Sequence, residues 1–237
     1  MNEFSANPSK VSLKTLSLIL SFLLVAHGLP AANAAPRAVG APQTVLVLGD
    51  SLSDGFGLTR AQAYPALLQK KAEAAGYRVR VINASASGGT SAGGLQRLPK
   101  HLNRPIDVLI LELGINDAFR AIPTDDIGKN LQAIIDRTKA KNPDVRVIIA
   151  RMELPVPVEG YFQDFAQIFE RLAKKNNAAL LPYLLEGVGG DPSLNIADRI
   201  HPNAAGQRIL AENVWRVLKR VLHSGDSEPS NAGGALN

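Results

Sequence analysis

Two short segments carry the residues best suited to chemistry. Gly49-Asp50-Ser51-Leu52-Ser53 follows directly on the apolar run Val45-Leu46-Val47-Leu48, and Asp198-Arg199-Ile200-His201-Pro202 lies near the other end of the chain. A serine just past a buried strand is presented at the rim of a sheet, where open parallel sheets bind their ligands. The second segment holds an acid and an imidazole three residues apart. Serine, imidazole and carboxylate together supply a nucleophile, a base and an orienter for the base, which is the equipment for acyl transfer.

Each of these residues has competing roles. Ser51, taken alone, serves equally well as a helix N-cap. Ser53 is the weaker nucleophile and is better suited to local hydrogen bonding, and Asp50 reads as a carboxylate that fixes the turn. Among the four histidines, His27 lies in an apolar N-terminal segment, His101 in a surface connection after Pro99-Lys100, and His223 at the start of the tail. His201 differs because Asp198 precedes it and Pro202 follows it. Proline suits the first position of a helix, so the imidazole is expected in the loop before the last helix. A carboxylate three residues back can reach Nδ1 and leave Nε2 free.

Acyl transfer also needs donors for the oxyanion. Asn83-Ala84-Ser85-Ala86-Ser87-Gly88-Gly89-Thr90 offers glycine N–H groups that no side chain obstructs. Gly114-Ile115-Asn116-Asp117 offers the neutral amide of Asn116. One such donor lowers a barrier by roughly 2.7–4 kcal/mol. Glycine and asparagine also fill turns routinely, so the weight comes from their position after successive strands.

The elements that must hold these loops are legible in the apolar pattern. Strands are expected at Thr44–Leu48, Arg78–Ile82, Asp107–Leu113, Val145–Ala150 and Ala178–Pro182. Val108-Leu109-Ile110-Leu111 lacks polar alternation, as a strand covered on both faces does. Helical stripes separate the strands. Tyr64, Leu67, Leu68, Ala72 and Ala75 form one, ending before Gly76. Ile127, Leu131, Ile134, Ile135 and Thr138 form another, with Asp125 and Asp126 suited to its positive end. Phe162, Phe165, Phe169 and Leu172 form a third, and Leu210, Val214, Val217, Leu218 and Val221 the last. The alternation predicts an α/β fold, a single-domain flavodoxin-like three-layer α/β/α sandwich. About five parallel strands in the order 2-1-3-4-5 would bring strands 1 and 3 side by side.

Composition narrows the function classes. The chain of 237 residues is 46% hydrophobic and 20% charged, which suits one globular domain. A net charge of +5 spread over the sequence, with only 5% aromatic residues, gives no nucleic-acid surface. Cysteine is absent, which removes disulfides, thiol nucleophiles and thiolate metal sites. At the N-terminus, Lys10 and Lys14 precede the apolar run Leu16 to Ala26, and Ala32-Asn33-Ala34 follows Gly28 and Pro30. That is the layout of a secretory signal over residues 1–34, cleaved after Ala34, with release into a periplasm or the medium. The run is too short to span a bilayer, which needs roughly 20 residues, so no stable membrane span is expected after cleavage. A leader arm at 35–43, a catalytic domain at 44–222 and a solvated tail at 223–237 complete the expected layout.

Four blocks then resemble the GDSL/SGNH hydrolases: Gly49-Asp50-Ser51-Leu52, the glycine of Ser87-Gly88, the asparagine of Gly114-Ile115-Asn116-Asp117, and Asp198-Arg199-Ile200-His201-Pro202-Asn203. Within that superfamily the chain is similar to the bacterial periplasmic thioesterase I/lysophospholipase and arylesterase group. Tyr64-Pro65-Ala66-Leu67-Leu68, Gly94-Leu95-Gln96-Arg97-Leu98-Pro99 and Leu111-Glu112-Leu113-Gly114 are similar as well. The resemblance spans about Thr44 to Leu222. It implies Ser51 as nucleophile, His201 as base, Asp198 as orienter, and the Ser51 N–H, Gly88 N–H and Asn116 side chain as the oxyanion hole. It implies no metal and no organic cofactor. The implied substrate is a small acyl ester or thioester: aryl, short or medium acyl, or a lysophospholipid.

Two departures bear on substrate preference. Gly89 stands where close relatives often carry an acidic residue, and Leu154–Tyr161 replaces an Asn-Tyr-Gly-type loop. The Gly-x-Ser-x-Gly elbow of the α/β-hydrolases is absent. Two other functions compete. A carbohydrate O-deacetylase would use the same residues. A flavodoxin-like module could hold phosphate or flavin on Gly88-Gly89-Thr90-Ser91-Ala92-Gly93-Gly94, but that leaves Asp198 and His201 without a role.

Overall fold

The computed structural model describes residues 41–153 and 160–226, with side chains as far as residue 223. The expected signal segment, most of the leader arm, residues 154–159 of the Leu154–Tyr161 loop, and the tail from 227 lie outside the described residues.

A five-stranded parallel sheet in the order β2-β1-β3-β4-β5 forms the centre. Its strands are β1 (Gln43–Gly49), β2 (Val79–Asn83), β3 (Val108–Glu112), β4 (Arg146–Ala150) and β5 (Ala179–Leu181). Every residue of β3 is buried, as its unbroken apolar run requires of a strand with both faces covered. The last strand is shorter than its apolar run suggests. The ladder closes with the Leu181 carbonyl accepting the Arg151 N–H, and Pro182 follows with its nitrogen turned to the free edge, where a missing N–H breaks no ladder bond.

The helices are α1 (Ser51–Asp54), α2 (Tyr64–Ala74), α3 (Ser91–Arg97), α4 (Ile115–Phe119), α5 (Thr124–Lys141), α6 (Tyr161–Asn176) and α7 (Ala204–Asp226). Packing divides the longer helices into two groups. Helix α2 lies against α7, while α5 lies against both α3 and α6. Right-handed βαβ crossovers produce this division by placing helices on the two sides of the sheet. The predicted stripes face inward: Ile127, Leu131, Ile134, Ile135 and Thr138 of α5 are buried. So are Phe165, Phe169 and Leu172 of α6, with Phe162 only partly covered. Helix α7 runs to Asp226, into residues expected to begin the tail, and its Leu222 is fully buried.

The strand order decides which loops meet. Strand β1 pairs with both β2 and β3, and Gly49 is the register partner of Glu112. The segments leaving the carboxyl ends of β1, β2 and β3 therefore meet over one rim, the switch point of such sheets.

Candidate active site

The β1 rim turns sharply into α1. Asp50 caps this short helix, its carboxylate accepting the Leu52 N–H at 3.0 Å. Ser51 is the first helical residue and is 8% exposed. Its N–H, like that of Gly88 in the turn after β2, has no acceptor among the described residues. Ser53 bonds to the Tyr64 hydroxyl at 2.7 Å and to Glu112 Oε2 at 2.5 Å. It takes the local hydrogen-bonding role expected of it.

Ser51 Oγ lies 2.9 Å from His201 Nε2, and His201 Nδ1 lies 2.7 Å from Asp198 Oδ2. The other Asp198 oxygen accepts the Ile200 and His201 N–H groups at 2.9 and 3.0 Å. The chain achieves this within one turn because Arg199 takes a left-handed conformation, φ +60°. The loop is closed by Ile196 N–H to the His201 carbonyl and by Asn203 N–H to the Leu194 carbonyl. Asn203 then caps α7, accepting the Ala205 and Gly206 N–H groups. The helix thus starts two residues after Pro202 rather than on it, and His201 stays in the preceding loop.

Charge assigns the imidazole tautomer. Burial pushes the Asp198 carboxyl up, but the His201 and Ile200 N–H groups and the imidazole outweigh it and hold its pKa at about 2. An ionised carboxylate only accepts, so Nδ1 carries the proton. Nε2 is left with its lone pair facing the serine hydroxyl, the arrangement that proton removal requires. The Phe56 ring packs beside the imidazole, with centroids 4.5 Å apart and planes tilted 40°.

The Asn116 amide, at the start of α4, donates to Asp50 Oδ2 and to the Gly89 carbonyl, both at 3.1 Å. Gly88, at φ +72°, turns the β2 loop toward this group in a conformation that favours glycine. Both Asn116 hydrogens are engaged, so a substrate oxyanion would compete with the Gly89 carbonyl for one of them.

The sequence of residues 47–209 matches the GDSL-like Lipase/Acylhydrolase family. The chain belongs to that family. As such it is a hydrolase of ester bonds. The chain is 42% identical over 185 residues to Esterase TesA of Pseudomonas aeruginosa, covering 77% of this chain and 90% of that one. A crystal structure of TesA aligns with a TM-score of 0.70 at 41% identity, over 76% of this chain and 99% of that one. An Arylesterase of Vibrio mimicus is 34% identical over 212 residues, 89% of this chain and all of the relative. Thioesterase 1/protease 1/lysophospholipase L1 of Escherichia coli is 37% identical over 186 residues, 77% and 86% of the two chains.

In this GDSL-family chain the structure joins Ser51, His201 and Asp198 in one hydrogen-bonded line, and it ties Asn116 to Asp50 and Gly89. Four supporting residues escaped sequence reasoning. Asp117 accepts both the N–H and the hydroxyl of Ser91, anchoring α4 to the start of α3. Arg97 clamps the Gly49 and Ala84 carbonyls, joining the ends of β1 and β2. Gln207 reaches from α7 to the Leu52 carbonyl and the Tyr64 N–H. Glu112 lies fully buried behind the Ser51 turn. Glu112 alone had a visible signal: an acid closing an otherwise apolar strand has to be paired.

Proposed function

We propose that the chain is an exported serine esterase that works through an acyl-enzyme, with Ser51 as nucleophile. The line from Asp198 through His201 to Ser51 carries this reading, with contacts of 2.7 and 2.9 Å. In the first half-reaction Ser51 Oγ attacks the acyl carbon and its proton passes to His201 Nε2. Asp198 stabilises the imidazolium that forms. The carbonyl π electrons move to oxygen, and the free N–H groups of Ser51 and Gly88, with the Asn116 amide, receive the oxyanion. Collapse of the tetrahedral intermediate breaks the bond to the leaving alcohol or thiol, which takes the proton from Nε2. Water then repeats the sequence and releases the acid.

The proposed substrates are aryl and short or medium acyl esters, thioesters and lysophospholipids. Relatives named esterase, arylesterase and thioesterase/lysophospholipase support that range. Export rests on the residues 1–34 pattern. Among the described residues, no helix is long and apolar enough to cross a membrane.

Ser51→Ala tests the reading. Hydrolysis of an aryl acetate is expected to vanish while circular dichroism remains that of the parent. Brief exposure of the parent protein to the ester, followed by acid quenching, should leave an acyl mass on the peptide containing Ser51. Full activity in the variant would overturn the assignment. A panel of esters and thioesters of graded length, with acetylated sugars included, then defines the acyl preference.

A further inference from the structure

Glu112 ends β3, fully buried, and its carboxyl has no place in the reaction just described. Its Oε2 accepts the Asp50 N–H at 3.1 Å and the Ser53 hydroxyl at 2.5 Å. Its Oε1 is buried and accepts no hydrogen bond among the described residues. The carboxyl also presses on the backbone of the nucleophile segment. A Cβ on Gly49 would lie 2.4 Å from Oε2, so glycine is required there by proximity. Asp50, in front of Glu112, accepts the Leu52 N–H with one oxygen and the Asn116 amide with the other.

We propose that Glu112 is a positioning residue of the active site, acting through Asp50 on both the Ser51 turn and the Asn116 amide. The proposal rests on the roles given above to Ser51 and Asn116. Two adjacent carboxyls in a buried site cannot both be ionised, so the pair retains a proton. Chemistry places that proton on Glu112. Asp50 has two N–H donors to satisfy as an anion, whereas Oε1 of Glu112 needs a hydrogen. A neutral Glu112 donates to the Asp50 carboxylate, and that bond favours the same division of charge. Burial together with the Asp50 charge raises the Glu112 pKa far above the usual carboxylate range. Burial raises that of Asp50 only to about 6, with the Leu52 N–H, Glu112, His201 and Asn116 opposing the rise.

The charged and titratable groups around the pair fit this state. His201 faces Asp50 from the loop before α7. Arg97 of α3 faces both carboxyls and Asp54. The Tyr64 phenol, on α2, stays neutral because burial pushes its pKa well above the ordinary value. One proton shared between Asp50 and Glu112 therefore locks the nucleophile cap to the oxyanion donor. Ionisation of Glu112 at high pH sets two anions face to face and loosens both attachments.

Glu112→Gln and Glu112→Leu separate positioning from packing. Glutamine reproduces the neutral acid, with a carbonyl for the Asp50 N–H and Ser53 hydroxyl and an N–H for Asp50. Expected results are kcat within about threefold of the parent for Glu112→Gln, and a fall of about 10²-fold with little change in KM for Glu112→Leu. The parent should lose activity on the alkaline side, and Glu112→Gln should lack that limb. Independently of activity, the infrared band of a protonated buried carboxyl should be present in the parent at neutral pH and absent from Glu112→Gln. Should Glu112→Leu fail to fold, the pH profile and infrared band of Glu112→Gln decide. A folded Glu112→Gln that retains the parent's alkaline limb, or a parent without the band, overturns the proposal. Activity surviving in Ser51→Ala overturns the proposed catalytic roles instead, and leaves the infrared result standing by itself.

Discussion

Gly49→Ala probes the closest backbone approach in the site. The added methyl would lie 2.4 Å from Glu112 Oε2, 2.5 Å from Ser53 Oγ and 2.7 Å from Ser53 Cβ. Comfortable contact needs roughly 3.5 Å, so something must move by about 1 Å. Neither neighbour moves freely. Glu112 is fully buried at the end of β3, and Ser53 belongs to α1 and is held by Tyr64. Strain of this kind costs about 1–3 kcal/mol. For a domain of this size that corresponds to a fall in Tm of roughly 2–12 °C. The displacement falls on the residue before Asp50, the cap of α1, and a shift of about 1 Å in a reacting group costs on the order of 10²-fold in rate. The assays are thermal melting by circular dichroism and steady-state hydrolysis of an aryl acetate. The expected result is a lowered kcat with KM nearly unchanged. A variant that melts with the parent and keeps full kcat would refute the argument, because Glu112 would then not be wedged behind Gly49.

Other perturbations report on separate parts of the site. Asn116→Ala should lower kcat by about 10²–10³-fold with KM little altered, as loss of an oxyanion donor does; an effect confined to KM would assign it to substrate binding instead. The variant also strips an N–H from buried Asp50, so stability should fall by about 1–3 kcal/mol in a urea titration. Stability should depend on pH in a direction set by Asp50. Burial raises its folded pKa from 3.8 to about 6, so its contribution is complete below 3.8 and is lost as pH rises through about 6. Asp198 behaves oppositely: its pKa is lowered to about 2, so its contribution is present above 3.8 and lost only as pH falls toward 2. Melting temperature should therefore decline between about pH 4 and 6.5, and Asp50→Asn should flatten that decline. A parent whose Tm rises across that interval would contradict the burial argument.

The parts of this molecule that sequence revealed are those whose cause is local. Val108-Leu109-Ile110-Leu111 announces a strand covered on both faces because every side chain must leave water. The boundary errors are local too. Strand β5 ends at Leu181, one residue short of its apolar run, and Asn203 rather than Pro202 starts α7 because its side chain can satisfy two N–H groups. Asp198 and His201 were legible as a pair because three residues are within one turn's reach. Their left-handed link at Arg199 was not, since nothing in an arginine signals positive φ.

By itself, then, the sequence determined the strands, the inward faces of the helices, the strand–helix alternation and a set of residue types capable of acyl transfer. Only the tertiary structure decided which of them meet. Ser51 and His201 are 150 positions apart, and Asp50 and Glu112 are 62 apart. No periodicity spans such distances; the sheet order does, by setting β1 between β2 and β3 and their carboxyl ends on one rim. The buried acid of Glu112 shows the difference best. In sequence it is the polar end of a hydrophobic run, and in the fold it becomes the wall against which the Ser51 turn is set, because register pairs it with Gly49.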